Sequence, residues 1–469
     1  MKNYGQQYRY LDLLLTQRRN QYLIENIEMK KINLLTVVCS IAFISCTNGN
    51  NSDNNARDTK SRTIIHELNE KELPKGDKVI AFVGATLIDG NGGEPIQNAC
   101  VIVRNDKIEF AGKQEKGKIP KEAEVLNVQG LTMLPGLIDA HYHNEDSKDL
   151  LGLYLSHGVT SIRDPGEWIE SYDEVRSTGK PIPRLFLAGP HINTYPPAYP
   201  EDAIIVQDAE EGRLAVNMLA DQGATVIKVY FGLSIGIIKE VCTAAHIHGL
   251  PVTAHLEITN AKDAINAGLD GIEHITSFGT VLLPAREAEK YKQRVLADNE
   301  ARKRGRYEVW NSLVVENNSV ADSLIKFLSD KKTFVTPTLA AFEKQADQGD
   351  SIEVNGFRNM VKFTGQAKKG GVRIVVGSHS FVAYAETGFA YFREMELLQQ
   401  AGLSTMEIIV AATMENARFF RIDERLGSIE KGKLADIIFV EGDPLKDIKT
   451  MRNIRRVMLN GSWISMEKK

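Results

Sequence analysis

Short apolar runs separated by helical patterns fill the middle of the chain. Strand-like runs fall at residues 159–163, 184–188, 226–230, 252–255, 271–274, 334–338 and 372–377, after an apolar stretch at 137–140. Strand, helix, strand over this length predicts parallel β/α units, and a closed barrel fits the count best. Before it, β-rich runs at 79–83, 99–103 and 108–111 are broken by the turn signals Asp89-Gly-Asn-Gly-Gly93 and Asn105-Asp106. After it, residues 427–464 return to short strands with turns at Glu430-Lys-Gly432, Gly442-Asp-Pro444 and Asn460-Gly461. The two flanking sections are expected to pair with each other.

The amino terminus reads as targeting. From Met29 a Met-Lys-Lys start leads into an apolar stretch at 32–44 and then Ser45-Cys46. A positive start, a short apolar core and a small residue before the cysteine are the parts of a signal peptide, too short to span a bilayer. Phe43-Ile44-Ser45-Cys46 resembles a bacterial lipobox, which implies cleavage before Cys46 and lipidation of its thiol. A plain secretory signal or a buried apolar segment is the alternative. The expected organisation is an upstream extension over 1–28, a signal over 29–45 and a flexible tether over 46–77. A first β-sandwich part over 78–135, a barrel over 136–424 and a second sandwich part over 425–469 follow. The tether rests on the Asn, Ser, Asp and Gly content after Thr47, which buries too little surface to order itself.

Composition fits this layout and narrows the partners. The 469 residues are 43% hydrophobic and 25% charged, enough for one large core and a smaller one. The 57 basic and 61 acidic residues are interleaved, so no basic face for nucleic acid is expected. A small-molecule substrate and a membrane contact through the lipid are the expected partners. Of four cysteines, Cys39 and Cys46 lie in the signal, and Cys100 and Cys242 read as buried thiols without a disulfide.

The candidate chemistry sits where apolar runs end. Leu134-Pro-Gly-Leu-Ile-Asp-Ala-His-Tyr-His143 places His141 and His143 just beyond a strand, and Lys228, His255 and His274 close later runs. In a parallel barrel all strand carboxyl ends share one face, so these residues converge, and neutral imidazoles bind zinc. Lys228 fits if burial lowers its pKa and leaves an amine able to take up carbon dioxide; otherwise its stem merely covers apolar surface.

Seven ordered blocks carry a resemblance: the Leu134 to His143 stretch, Gly158-Val-Thr-Ser-Ile-Arg-Asp164, Ile227-Lys-Val-Tyr230, Gly249-Leu-Pro-Val-Thr-Ala-His255, Gly271-Ile-Glu-His274, Thr336-Pro-Thr-Leu339 and Gly427-Ser-Ile-Glu-Lys-Gly-Lys-Leu-Ala-Asp436. The chain resembles the amidohydrolase superfamily, within it the imidazolonepropionase-like and prolidase-like group, from about Lys78 onward. The resemblance implies a (β/α)8 barrel with a β-sandwich from both chain ends. It implies two divalent metal ions, most often zinc, with His141 and His143 on one, His255 and His274 on the other, and a carboxylated Lys228 between them. The implied reaction is hydrolysis of a C–N or C–O bond, with a water acidified to a bridging hydroxide and the scissile carbonyl polarised. N-acyl amino acids or short peptides are the implied substrates, with lactones or cyclic imides as alternatives.

One position departs from the family. Where it has an aspartate that carries the proton, this chain reads Val376-Gly-Ser-His-Ser380. His379 is a working substitute, or purely a ligand with Glu145 or a hydroxyl handling the proton, or the mark of a chain that binds metal or ligand without turnover.

The remaining signals are weaker. His246 and His248 end a helical pattern and read as surface residues, as does His157; His66 precedes the first β section. His191 opens a Pro- and Tyr-rich loop at 191–200 with Tyr195 and Tyr199, and Tyr230 follows Lys228, so His191 and Tyr230 are the candidate substrate contacts. The charged stretch 282–318, with Arg302-Lys-Arg304 and Arg306, reads as a solvated helical insertion in preference to a lid or an acidic-substrate site.

Overall fold

The computed structural model describes residues 63–115, 117–144 and 149–465. The signal segment, Cys46 and Glu145 lie outside these. Among the described residues no helix is long and apolar enough to cross a membrane.

Eight short strands, buried on both faces as their continuous apolar character requires, run parallel. Leu137–Asp139, Val159–Asp164 and Arg184–Leu187 pair in sequence order. Ile227–Val229, Val252–His255, Gly271–Glu273, Phe334–Thr336 and Arg373–Ile374 do the same. Two backbone bonds join the sets: Thr225 N–H donates to Leu187 O at 2.9 Å, and Ala140 N–H donates to Val376 O at 3.0 Å. The ring is therefore closed, a (β/α)8 barrel whose strand carboxyl ends form one mouth. A short parallel pair, His191–Asn193 and Ala203–Ile205, widens the wall after the third strand.

Helices wrap the barrel with one apolar stripe inward. In Ile235–Ile247 the buried residues Ile238, Val241, Cys242 and Ala245 follow helical spacing, and the Ser234 side chain caps the start by accepting from Ile237 N–H. After the sixth strand the chain inserts Ala285–Ala297 and Ala301–Ser312 before Ser319–Asp330 restores the repeat.

Both chain ends build the second layer. Leu131–Pro135 lies antiparallel to Ile437–Glu441, with Pro135 opposite Ile437 and Leu131 opposite Glu441. This pairing centres an eight-stranded sheet in which Val79–Leu87, Ile96–Arg104, Lys107–Lys113 and Glu124–Asn127 lie on one side and Ile454–Leu459 and Ser462–Trp463 on the other. Phe82 packs edge-on against Phe439 at 4.9 Å and against Trp463 at 5.6 Å, although the last strand is four positions away in the sheet. The sheet therefore curls over its own apolar core.

Residues 63–77 correct the tether expectation. Leu68 N–H donates to Leu185 O at 2.9 Å, and Asn69 exchanges side-chain bonds with Leu185 N–H at 2.9 Å and Pro183 O at 3.0 Å. Glu67 is buried and pairs with Arg184 and Arg425. Arg184 also grips Asp436 through Nε at 2.7 Å and Nη2 at 3.0 Å, and reaches Asn460 Oδ1 at 3.1 Å. The polar composition behind the tether expectation belongs to residues 47–62, outside the described residues, whereas the polar groups of residues 63–77 have buried partners that sequence spacing does not reveal.

Candidate metal centre

His141, His143, His255, His274 and His379 stand together at the barrel mouth. His141 has ring centroids 4.9 Å from His143, 4.5 Å from His274 and 5.2 Å from His379, and His255 lies 4.5 Å from His274. His141, His274 and His379 each present one ligand atom within 4.8 Å of the others. Lys228 is buried nearby, its Nζ without a hydrogen-bond partner.

Buried partners orient three of the rings. His141 Nδ1 lies 2.7 Å from Glu273 Oε2, and Glu273 is itself held by Arg163 Nη2 at 2.8 Å and Thr253 Oγ1 at 2.6 Å. A carboxylate can only accept, so His141 carries its proton on Nδ1 and keeps a lone pair on Nε2, 3.0 Å from His143 Nε2. His274 Nδ1 lies 2.6 Å from Thr338 Oγ1. His255 Nε2 lies 2.9 Å from Glu257 Oε2 and leaves Nδ1 buried with no partner. Glu257 is fixed by Tyr291 OH at 2.7 Å and Arg306 Nη2 at 3.3 Å. The sequence reading named the histidines and not these partners; acidic residues inside apolar runs, Glu273 above all, were the available signal.

Backbone geometry concentrates here. Among the described residues ten non-glycine residues have positive φ, and His274, Thr338, His379 and Ser380 are four of them. Such conformations persist where surrounding contacts overdetermine them, and they cluster at functional sites. His379 N–H donates to His141 O at 2.7 Å and His143 N–H to Ser380 Oγ at 2.8 Å, lacing the eighth strand's end to the first. A Cβ on Gly377 would meet His141 Cβ at 2.7 Å, so only glycine permits this approach.

The electrostatics hold the rings neutral. Burial, then the Lys228 charge, pushes His143 down to about 4, and burial takes His255 to about 4. Burial followed by His143 takes His379 to about 3, and His141 and His274 fall well below the ordinary value, burial again leading. Burial also lowers Lys228 to about 8. Neutral imidazoles with converging lone pairs beside an orphaned buried amine fit a divalent metal centre: His141, His143, His255 and His274 would be its donors, with His379 beside them, and Lys228 would join them as a carboxylate.

The remaining predicted positions divide. His191 is buried with Nε2 unpartnered; its ring lies 4.6 Å from Tyr230, which lies 4.6 Å from His255, so both border the cluster. His246 and His248 stay outside, bound to Asp270 and Asn217 at 2.9 Å each. The insertion departs from its expected solvated character: Arg304 faces outward, but Arg302 is 2% and Arg306 9% exposed. The i, i+4 spacing of Arg302 and Arg306 beside Val309 and Trp310 places them on the packed face.

Residues 132–464 match the profile of the amidohydrolase family. Adenine deaminase 1 of Desulfotalea psychrophila is 24% identical over 391 residues, covering 79% of this chain and 55% of that protein. Imidazolonepropionase of Idiomarina loihiensis is 42% identical over 59 residues, 13% of this chain and 14% of that one. The chain thus spans about half the length of the first relative and a small part of the second. A solved structure from Bifidobacterium longum, provisionally named a prolidase, superposes with a TM-score of 0.64 at 25% identity, covering 83% of this chain and 95% of that one.

Proposed function

This chain belongs to the amidohydrolase family, and on that premise we propose that it is a metal-dependent hydrolase of a C–N bond in a small molecule, an N-acyl amino acid or short peptide. One observation carries the reading: five neutral histidines, of which His141, His255 and His274 are buried, converge beside Lys228, whose Nζ has no partner. A divalent metal held there supplies Lewis acidity to the scissile carbonyl and lowers the pKa of water.

The chain's own groups do the rest. Glu273 and Thr338 fix the tautomers of His141 and His274, and Glu257 fixes that of His255, so three lone pairs are aimed before anything binds. Lys228 would join the histidines in holding the metal as a carbamate, formed when the neutral amine attacks carbon dioxide and releases a proton. Tyr230 and His191 orient the substrate from the side of His255. His379 accepts the water's proton and returns it to the leaving amine.

The test is a turnover screen of the zinc-loaded protein on N-acyl amino acids, dipeptides, lactones and cyclic imides. We expect hydrolysis of at least one amide, lost together with bound metal in His143→Ala. Full metal loading with no turnover anywhere in the panel overturns the reading.

A second reading is metal or ligand binding without turnover. The low basicity of His379, held at about 3 by burial and then by His143, favours it. Activity appearing only in His379→Asp decides for it. Export with a lipid on Cys46 remains part of the proposal, tested by metabolic labelling with a fatty acid in wild type and Cys46→Ala.

A further inference from the structure

Arg302 is a buried cation whose side-on edge is free. It opens the inserted helix Ala301–Ser312, is 2% exposed, and buries Nε and Nη2 with no hydrogen-bond partner. Its two arginine neighbours on the helix are compensated: Arg304 by Asp350 at 2.6 Å and Arg306 by Glu257 at 3.3 Å. Among the described residues no carboxylate lies within ion-pair distance of Arg302. Elsewhere in the protein the same Nε and Nη2 edge is filled by a carboxylate, at 2.7 and 3.0 Å between Arg184 and Asp436 and at 2.8 and 2.5 Å between Arg393 and Glu343. Those two N–H groups are parallel and match the two oxygens of one carboxylate.

Aromatic rings link the guanidinium to the metal centre. The guanidinium lies 5.1 Å from the Tyr199 ring and 5.9 Å from the Phe231 ring. Phe231 lies 5.9 Å from His255, and Tyr199 lies 6.1 Å from Tyr230. Asn299 ties the helix start to the tyrosine loop by donating to Pro196 O at 3.4 Å and Pro197 O at 3.3 Å. One ring, Phe231, or two, Tyr199 and Tyr230, thus stand between Arg302 and His255.

We propose that Arg302 is the receptor for a free carboxylate of the substrate, adjacent to the scissile C–N bond. The inference rests on the hydrolase reading and narrows it to N-acyl amino acids and peptides cleaved next to a free C-terminus. In such a molecule the carboxylate carbon lies roughly 4 Å from the scissile carbonyl carbon. A charge-assisted N–H···O bond adds ~2.8 Å, a total reach of roughly 7 Å from the scissile carbon to the guanidinium. Tyr199 and Phe231 keep water from the guanidinium, which strengthens the pairing and makes a neutral end group leave the cation unpaired.

The test compares a panel of N-acetyl amino acids and dipeptides with their C-terminal carboxamides, using zinc-loaded wild type, Arg302→Gln, Arg302→Lys and the surface control Arg304→Gln. Wild type is expected to favour acid over amide by ~10- to 100-fold in kcat/KM. Arg302→Gln should bring the ratio close to one, Arg302→Lys should retain part of it, and Arg304→Gln should match wild type. An unchanged ratio in Arg302→Gln, or no acid preference in wild type, overturns the inference. If nothing in the panel is hydrolysed, the hydrolase reading fails and thermal shifts with the same probes decide Arg302 alone. Acids that stabilise wild type but not Arg302→Gln support it; no acid shift in wild type, or one that survives in Arg302→Gln, removes it.

Discussion

His255 gives one ring nitrogen to Glu257, at 2.9 Å, and keeps the other buried without a partner. The pair sets which nitrogen can meet a metal, and through Tyr291 and Arg306 it links that choice to the insertion after the sixth strand. Glu257→Gln can present an amide N–H to the ring and reverse the tautomer. Metal affinity should fall ~10- to 100-fold, read by competition titration with a chelating dye. Unchanged affinity with a lowered melting temperature would reduce Glu257 to a packing role.

His379 shares its place with His141 and His274, within 4.8 Å. Removing the ring in His379→Ala should lower turnover at least ~100-fold, and His379→Asp should keep the metal content of wild type. Elemental analysis beside a turnover assay checks both. Wild-type turnover in His379→Ala would exclude it from proton transfer.

Lys228 needs carbon dioxide to become a ligand. Protein stripped of metal and reloaded in bicarbonate-free buffer should regain less metal and activity than protein reloaded with bicarbonate, and Lys228→Ala should show no such difference. Equal recovery in both buffers would leave Lys228 an ordinary amine.

Glu394 predicts a pH signature away from the site. Its Oε2 accepts from Ala340 N–H at 2.8 Å, Oε1 has no partner, and burial raises its pKa from 4.5 to about 8. The folded state therefore holds a proton that the unfolded state releases, and stability falls as pH rises from 4.5 toward 8. Glu394→Gln keeps an acceptor for Ala340 and removes the titration. It should be the more stable protein at pH 8 by at least ~1 kcal/mol, with the gap closing near pH 5, in paired urea denaturation. A gap independent of pH would contradict the assignment.

The Arg184 cluster predicts a stability effect without a chemical one. Replacing Arg184 by Met strips Asp436 of its buried cation, leaves Glu67 with Arg425 alone, and should cost ~3–5 kcal/mol. Metal content should be that of wild type in whatever protein remains folded, as measured by denaturation and elemental analysis.

Much of this was legible in the sequence because barrel chemistry obeys a positional rule. His141, His255 and His274 each close an apolar run, and the closed parallel ring turns that property into convergence. What stayed hidden depends on distance in space. Glu67 reads as one more polar residue before the first strand until Arg184, 117 positions away, supplies its partner. Arg302 reads as one of several charges on a polar helix, and only the aromatic rings from two other segments show that it faces inward.

The same arginine that pins residues 63–77 has a consequence for how the protein is born. Arg184 sits in the third barrel strand, yet its counter-charges arrive with Glu67, before it, and with Asp436, after most of the chain has left the ribosome. A nascent chain that ends short of residue 436 holds a half-neutralised cation in the barrel floor and should remain sensitive to protease.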